Sequence, residues 1–164
     1  MVFWYSLIGL EFKMTYRETN FLNEWDWDLF VTLTFRGRHN HKYAENEFVE
    51  WVRSIYVEDQ IRVAIAGVIY STKTQTHIHV GMIPVNIDII DAIAIVDSLG
   101  GIWENRWRHG ISSVELVMDR EKAARYIQSH MSTFSPDAWD FVYYNKRLLW
   151  KLRSKAEPKA CRGD

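Results

Sequence analysis

The sequence has few cysteines and prolines, the residues that cross-link a chain or fix its backbone angles. Its 164 residues include one cysteine, Cys161, and three prolines. A single thiol excludes an internal disulfide and a cysteine-based zinc site. No stretch approaches the roughly 18 to 20 uninterrupted apolar residues of a membrane span, and residues 1–10 lack the basic segment and cleavage site of a secretory signal. We therefore expect a cytoplasmic protein with no membrane partner.

An excess of charge of one sign is also missing. The 20 basic and 21 acidic residues leave a net charge of −1, which disfavours coating of nucleic acid by electrostatics alone. With 48% hydrophobic and 25% charged residues, and no linker or repeat, residues 1–164 read as one domain. Two basic clusters stand out, each either solvated surface or a phosphate contact. They are the tail at about 146–164 and the group Arg36, Arg38, His39, His41 and Lys42.

Hydrophobic periodicity predicts strands at about 28–35, 61–70, 76–83 and 111–118, and amphipathic helices at about 42–59, 87–99 and 119–131. Asp119 suits the N-cap of the third helix, whereas Gly100-Gly101 is expected to stop the second unless residues 103–108 extend it. Trp103 and Trp107 fit helix packing or, with their basic neighbours, base stacking. The order of elements predicts an α+β fold: a ferredoxin-like or RRM-like antiparallel sheet with helices on one face.

Two histidines one residue apart lie inside an apolar strand, in the order His77-Ile78-His79. Because side chains alternate along a strand, both imidazoles point to one face while Ile78 points to the other. The same alternation puts Thr32 and Thr34 on the face with the histidines, opposite the helices. Two imidazoles side by side are half of a metal site, although such a pair also occurs as ordinary structural residues.

The third predicted helix carries a tyrosine and a histidine four residues apart, Tyr126 and His130, which therefore lie on one helical face. A neighbouring apolar ridge of Ala123, Ile127 and Met131 is suited to dock the helix on the sheet. If it docks on the histidine face, His130 becomes a third metal ligand. Tyr126 then stands as a nucleophile beside a Lewis acid.

Three segments in this order resemble the motifs of the HUH endonucleases, in particular the rolling-circle replication initiators (Rep) of small plasmids and viruses. They are Phe30–Phe35, His77–His79 and Ala124–Ile127, and the resemblance spans about residues 28–131. It implies that His77 and His79 bind Mn²⁺ or Mg²⁺ and that Tyr126 attacks a phosphate of single-stranded DNA. The implied products are a 5′-phosphotyrosine and a free 3′-hydroxyl. The implied partners are an origin or hairpin site, a host helicase or polymerase, and a second copy of the chain.

The sequence departs from the replication-initiator pattern in its third ligand. Many of these proteins carry an acidic ligand on the strand before the histidines, yet no Asp or Glu occurs between Arg62 and Asn86. The related single-strand transposases instead take a glutamine four residues after the tyrosine. His130 occupies that position, so the resemblance favours His130 over Gln75 or Glu115 as the third ligand.

The resemblance also suggests DNA contacts and leaves rival functions open. The candidate contacts are Thr32, Thr34, Arg36, Arg38, Arg125, Lys146 and Arg147. Tyr143 and Tyr144 are either nucleophiles for a second transfer or ordinary aromatics. Transposition needs the same nick as replication. A non-catalytic RRM-like module would stack bases on aromatics of the sheet, but Phe30 is the only aromatic expected there. A phosphoesterase with two histidine motifs would need a second such motif, which the sequence does not offer.

Overall fold

The computed structural model describes residues 27–84 and 93–130 with their side chains, and the backbone of three further short strands. The strands are β1 (Glu11–Phe12), β2 (Leu29–Phe35), β3 (Val63–Ser71), β4 (Thr76–Pro84), β5 (Gly110–Leu116), β6 (Ala138–Phe141) and β7 (Tyr143–Tyr144). The helices are α1 (His41–Asp59), α2 (Gly101–Arg106) and α3 (Arg120–Ser129), and a π-helical turn, Val96–Gly100, leads directly into α2.

Five strands form one antiparallel sheet in the order β5-β2-β4-β3-β6, which agrees with the predicted α+β class. β3 and β4 make the predicted hairpin, whose turn is closed by the Thr72 N–H donating to the Gln75 carbonyl at 2.8 Å. β1 and β7 pair separately as a two-stranded sheet. The central position of β4 places the histidine-bearing strand between two others, where it is shielded on both edges.

The first face of the sheet holds the larger core, which is built by α1. Apolar residues recur along this helix at steps of three and four, so that one stripe is buried. It comprises Ala44, Phe48, Trp51, Val52 and Ile55. The stripe packs on alternate residues of β2, all of them 0% exposed, namely Leu29, Val31, Leu33 and Phe35. This alternation fixes which side chains of β2 are left for the second face.

The second face is covered in part by α3 instead of being open. Ala124 and Ile127 of α3 are buried in a smaller core against β3, β4 and Trp27. The predicted docking ridge is therefore right for Ile127, while Ala124 replaces the half-buried Ala123 and Met131 lies outside the described residues. The prediction that the helices lie on one face of the sheet holds for α1 and α2 but not for α3.

Of the two helix ends predicted from local sequence, the start of α3 is right and the stop at Gly100-Gly101 is not. The Asp119 side chain accepts a hydrogen bond from the Lys122 N–H at 2.9 Å, which confirms it as the N-cap of α3. The stop at Gly100-Gly101 is wrong, because both glycines keep right-handed helical angles (φ −52° and −63°) and α2 begins at Gly101. A glycine ends a helix when it adopts a left-handed φ, which neither does here. Residues 87–92 of the predicted second helix lie outside the described part of the chain.

A buried polar cluster fastens α2 to the end of α1. Trp103 is fully buried and donates its indole N–H to the Asp59 carboxylate at 2.8 Å. The Arg106 guanidinium donates two hydrogen bonds to the same carboxylate. Trp107 is also buried, so both tryptophans serve packing, as one of the two sequence interpretations held. Hydrogen bonding from Arg106 holds the pKa of Asp59 below its usual value despite the opposing effect of burial.

No helix among the described residues is long and apolar enough to cross a membrane. This finding concerns residues 27–84 and 93–130 and the three short strands around them.

We expect Asp59→Ala to lower the free energy of unfolding by about 2 kcal/mol, because three hydrogen bonds are lost and a half-buried guanidinium is left without its carboxylate. Glu58→Ala is the matched control: Glu58 also pairs with Arg106, at 3.0 Å, but its side chain is 57% exposed. Exposed ion pairs contribute at most about 1 kcal/mol. Urea unfolding of the three proteins measures the difference, and equal losses in both variants would contradict it.

Candidate active site

The pairing of β2 with β4 fixes the surroundings of the two histidines. Thr32 pairs with His79 and Thr34 with His77, all four on the second face. The hydroxyl of each threonine lies 3.1 Å from the Nδ1 atom of its histidine. The two imidazole rings are nearly parallel, at 8°, with centroids 6.4 Å apart. Both rings are therefore held through Nδ1, as ligating histidines commonly are.

Tyr70 of β3 occupies the space among the histidines. Backbone pairing places it opposite His77. Its hydroxyl lies 2.9 Å from Nε2 of His79, the nitrogen left over after the bond to Thr32. Its ring stacks on His77 and His79 at centroid distances of 5.0 and 5.3 Å, and on His130 at 4.5 Å. One tyrosine ring thus contacts all three histidines.

α3 brings Tyr126 and His130 to the histidine pair. The Tyr126 ring meets His79 edge-on at 5.0 Å, and the His130 ring lies 5.4 Å from His79. The Nδ1 atom of His130 is 2.9 Å from the Tyr126 carbonyl oxygen, to which it can only donate. In the neutral ring this leaves the lone pair on Nε2. Tyr126 is 45% exposed, so its phenol is open to solvent.

Burial sets the charge state of the site. It lowers the pKa of His79 to about 3, with additional effects of His130 and His77, and it lowers the pKa of His77. Both rings are therefore neutral near pH 7, the form that can bind a cation. Burial, together with the nearby Tyr126, raises the pKa of Tyr70 to about 12, so its hydroxyl keeps its proton.

The donor set fits a divalent cation in part. Neutral imidazoles held through Nδ1 can bind a divalent metal ion through Nε2, although Nε2 of His79 lies 2.9 Å from the Tyr70 hydroxyl. Within the described residues, however, no group of three His, Cys, Asp or Glu side chains stands close enough to hold a metal ion. The ring of His130 lies 5.4 Å from that of His79, but the Tyr70 ring lies against all three imidazoles. The third-ligand role of His130 stays a prediction.

The other two candidate ligands are Glu115 and Gln75. Glu115 is exposed on β5, which β2 separates from β4, and Gln75 is in the turn before β4. The backbone of Asp140 in β6 pairs with Val68, which itself pairs with His79.

Four of the predicted DNA contacts lie on β2 or in the loop that follows it. Thr32 and Thr34 use their hydroxyls to hold the imidazoles, so their first role is to orient the histidines. Arg36 and Arg38 are exposed in the loop after β2. The carbonyl of Gly37 accepts the backbone N–H of Thr76 at 3.1 Å, which fastens this loop to the start of β4. The loop that carries the two arginines is thus held beside the start of β4, the strand with the histidines.

The remaining predicted contacts are less informative. Arg125 is exposed on α3 and pairs with Glu121 at 3.5 Å. Lys146 and Arg147 lie outside the described residues. So do the side chains of Tyr143 and Tyr144, the candidates for a second transfer.

Sequence reasoning missed Tyr70 and underestimated Phe30. Phe30 stacks on His79 at 5.9 Å and contacts Tyr126 edge-on at 5.7 Å. Counting back across the hairpin turn from His77 reaches Tyr70 as its partner, so the signal was present in the spacing.

The chain matches no protein-family model and no curated protein. A solved structure, the hypothetical protein ORF119 from Sulfolobus islandicus rod-shaped virus 1, is similar to it at 16% sequence identity. The similarity covers 71% of this chain and 89% of that chain, with a TM-score of 0.42. A TM-score this low supports no conclusion about function.

The buried, neutral state of His79 predicts a pH dependence of stability. The unfolded chain takes up a proton at His79 near pH 6.5, whereas the folded chain does so only near pH 3. Acidification across this range therefore favours unfolding, by about 1.4 kcal/mol per pH unit for one group. His79→Gln removes this slope and leaves that of His77. Urea unfolding of both proteins between about pH 7 and pH 5 measures it, and equal slopes would show that His79 is not protected.

Proposed function

We propose that this protein is a metal-dependent, site-specific endonuclease and ligase of single-stranded DNA that initiates rolling-circle replication through attack by Tyr126. The observation that carries the proposal is the convergence of His77, His79, Tyr126 and His130 on one face of the sheet. Residues from one strand and one helix, far apart in sequence, meet there with the residue types that the HUH resemblance implies.

Tyr126 is the better nucleophile of the two tyrosines at the site. Its ring lies 5.0 Å from His79 and it is 45% exposed, so a phosphate can reach it from solvent. The hydroxyl of Tyr70 is instead engaged with His79, and burial raises its pKa to about 12. A phenol with so high a pKa is seldom deprotonated near pH 7, and His79, whose pKa burial lowers to about 3, is a weak base for it.

In the proposed reaction the Tyr126 oxygen bonds to phosphorus as the bond from phosphorus to the 3′ oxygen breaks. The phenol proton is lost to solvent, and the 3′ oxygen leaves as a hydroxyl after taking up a proton. A divalent cation on His77 and His79 would supply charge stabilisation at the scissile phosphate. Since the phosphotyrosine keeps the energy of the broken bond, the 3′-hydroxyl can reverse the step and rejoin strands without ATP.

Positively charged residues next to the site are suited to hold the DNA strand. Arg36 and Arg38 are exposed and anchored beside β4, and Arg125 is exposed one residue before the nucleophile. Phosphate contacts of this kind position nucleic acid without reading its sequence. In the proposed complex they lead the backbone of the strand across the face that carries Tyr126.

Tyr126→Phe is expected to abolish the covalent protein–DNA adduct, because no phenol oxygen remains to attack the phosphate. The assay is denaturing electrophoresis after incubation with labelled single-stranded DNA of random sequence and Mn²⁺. Tyr43→Phe is the control, since Tyr43 is similarly exposed, at 37%, and lies on α1. Adduct formation by Tyr126→Phe would refute the assignment of Tyr126 as the nucleophile.

A non-catalytic nucleic-acid-binding module is the second candidate, and one observation favours it. Two half-buried aromatics, Phe30 and Tyr70, lie on the second face, where RRM-like sheets stack bases. The same assay separates the two functions. Single-stranded DNA that shifts the protein in a native gel, with no adduct in a denaturing gel, would favour the binding module. Transposition predicts the same adduct, and paired transposon ends in the flanking DNA distinguish it from replication.

The third-ligand role of His130 predicts that His130→Ala raises the Kd for Mn²⁺ by at least about tenfold, because a direct ligand contributes no less than its supporting shell. Lys122→Ala on the same helix is the control, as its side chain is exposed. Calorimetric titration with Mn²⁺ measures both. Unchanged affinity in His130→Ala would exclude His130 from the coordination sphere.

A further inference from the structure

The hydroxyl of Tyr70 is bonded to the atom that a metal ion needs. Nδ1 of His79 lies 3.1 Å from the Thr32 hydroxyl, so Nε2 is the nitrogen available to a cation. That atom is 2.9 Å from the Tyr70 oxygen. With the ring proton on Nδ1, Nε2 accepts the Tyr70 O–H. A cation and this hydrogen bond require the same lone pair and exclude each other.

The ring of Tyr70 also contacts each of the three histidines. It lies 5.0 Å from His77, 5.3 Å from His79 and 4.5 Å from His130, between centroids, and is tilted by at most 28° to each. The rings of His77 and His79 are 6.4 Å apart. Ligands of one divalent cation must bring their nitrogens to within about 2.1 Å of it. Tyr70 therefore lies against every ring that would have to approach a common cation.

The hydrogen bond has a structural reason of its own. His79 is only 3% exposed, and a buried ring nitrogen without a partner costs free energy of folding. Tyr70 lies on β3, the strand paired with β4, and supplies the donor through its side-chain hydroxyl. The protein without a cation is thus stabilised by the same contact that opposes the cation.

We infer that Tyr70 sets the affinity of the histidine site for divalent cations, by holding Nε2 of His79 until a cation displaces it. This inference rests on the proposed function, because it takes His77 and His79 as the ligands. Tyr70 acts through His79 and is a positioning residue. Binding of a cation then requires the Tyr70 side chain to release His79 and move out from among the imidazoles.

Tyr70→Phe separates this role from simple structural support. It removes the competing hydrogen bond, so the Kd for Mn²⁺ falls about fivefold by calorimetry, the value of one ordinary hydrogen bond. It also leaves Nε2 of His79 without a donor, so the melting temperature of the cation-free protein falls. Support alone would lower the melting temperature and leave Mn²⁺ binding equal or weaker. Tyr56→Phe makes the same chemical change on α1, which covers the opposite face, and should alter neither quantity.

The outcomes for the inference and for the proposed function differ. Equal or weaker Mn²⁺ binding by Tyr70→Phe, with binding by the wild type, overturns the role of Tyr70 and leaves the endonuclease proposal intact. Absence of Mn²⁺ binding in both proteins also overturns it, and the Tyr126 adduct assay then decides the endonuclease proposal separately. Tyr70→Leu serves as the second variant if Tyr70→Phe does not fold, and tighter Mn²⁺ binding is expected of it too.

Discussion

The structure depends on the register between β2 and β4. Because that register pairs Thr32 with His79 and Thr34 with His77, each imidazole finds a hydroxyl directly across the strand pair. A shift by one residue would turn every side chain of a strand to the other face, sending the histidines into the α1 core. The large apolar side chains that pack under α1 oppose such a shift. The core on the first face therefore holds the polar geometry on the second.

The second core determines the chemistry of the histidines as much as the register does. Ala124 and Ile127 of α3 pack over β3 and β4, together with Trp27, and this packing leaves His79 almost without solvent. Burial disfavours the charged ring, so His79 is neutral across the physiological range. The same docking carries Tyr126 and His130 to the histidine pair. Packing of the second core and assembly of the candidate site therefore both depend on the docking of α3.

Much of the fold could be predicted from local pattern, whereas the interior of the site could not. Periodicity located the strands and α1, and Asp119 marked the start of α3, because these signals act within a few residues. The stop at Gly100-Gly101 failed because the backbone there stays helical and the tryptophans beyond it are buried. β3 is nearly continuous apolar sequence, a pattern of strands covered on both faces. That pattern argued against an open second face, and with it Tyr70 could have been placed beside His77.

The position of Tyr70 shows how one hydrogen bond serves stability and function in opposite ways. A histidine poised for a cation needs a free lone pair, yet a free lone pair in a buried ring destabilises the fold. An exposed histidine would avoid the conflict but would lose the neutral, oriented state that burial and Thr32 impose. A partner that can leave is the remaining solution. Tyrosine meets it, since its O–H satisfies Nε2 of His79 through a side chain and not through the backbone of β3. The proposed activity therefore depends on a contact that stabilises the folded protein and must break for the cation to bind.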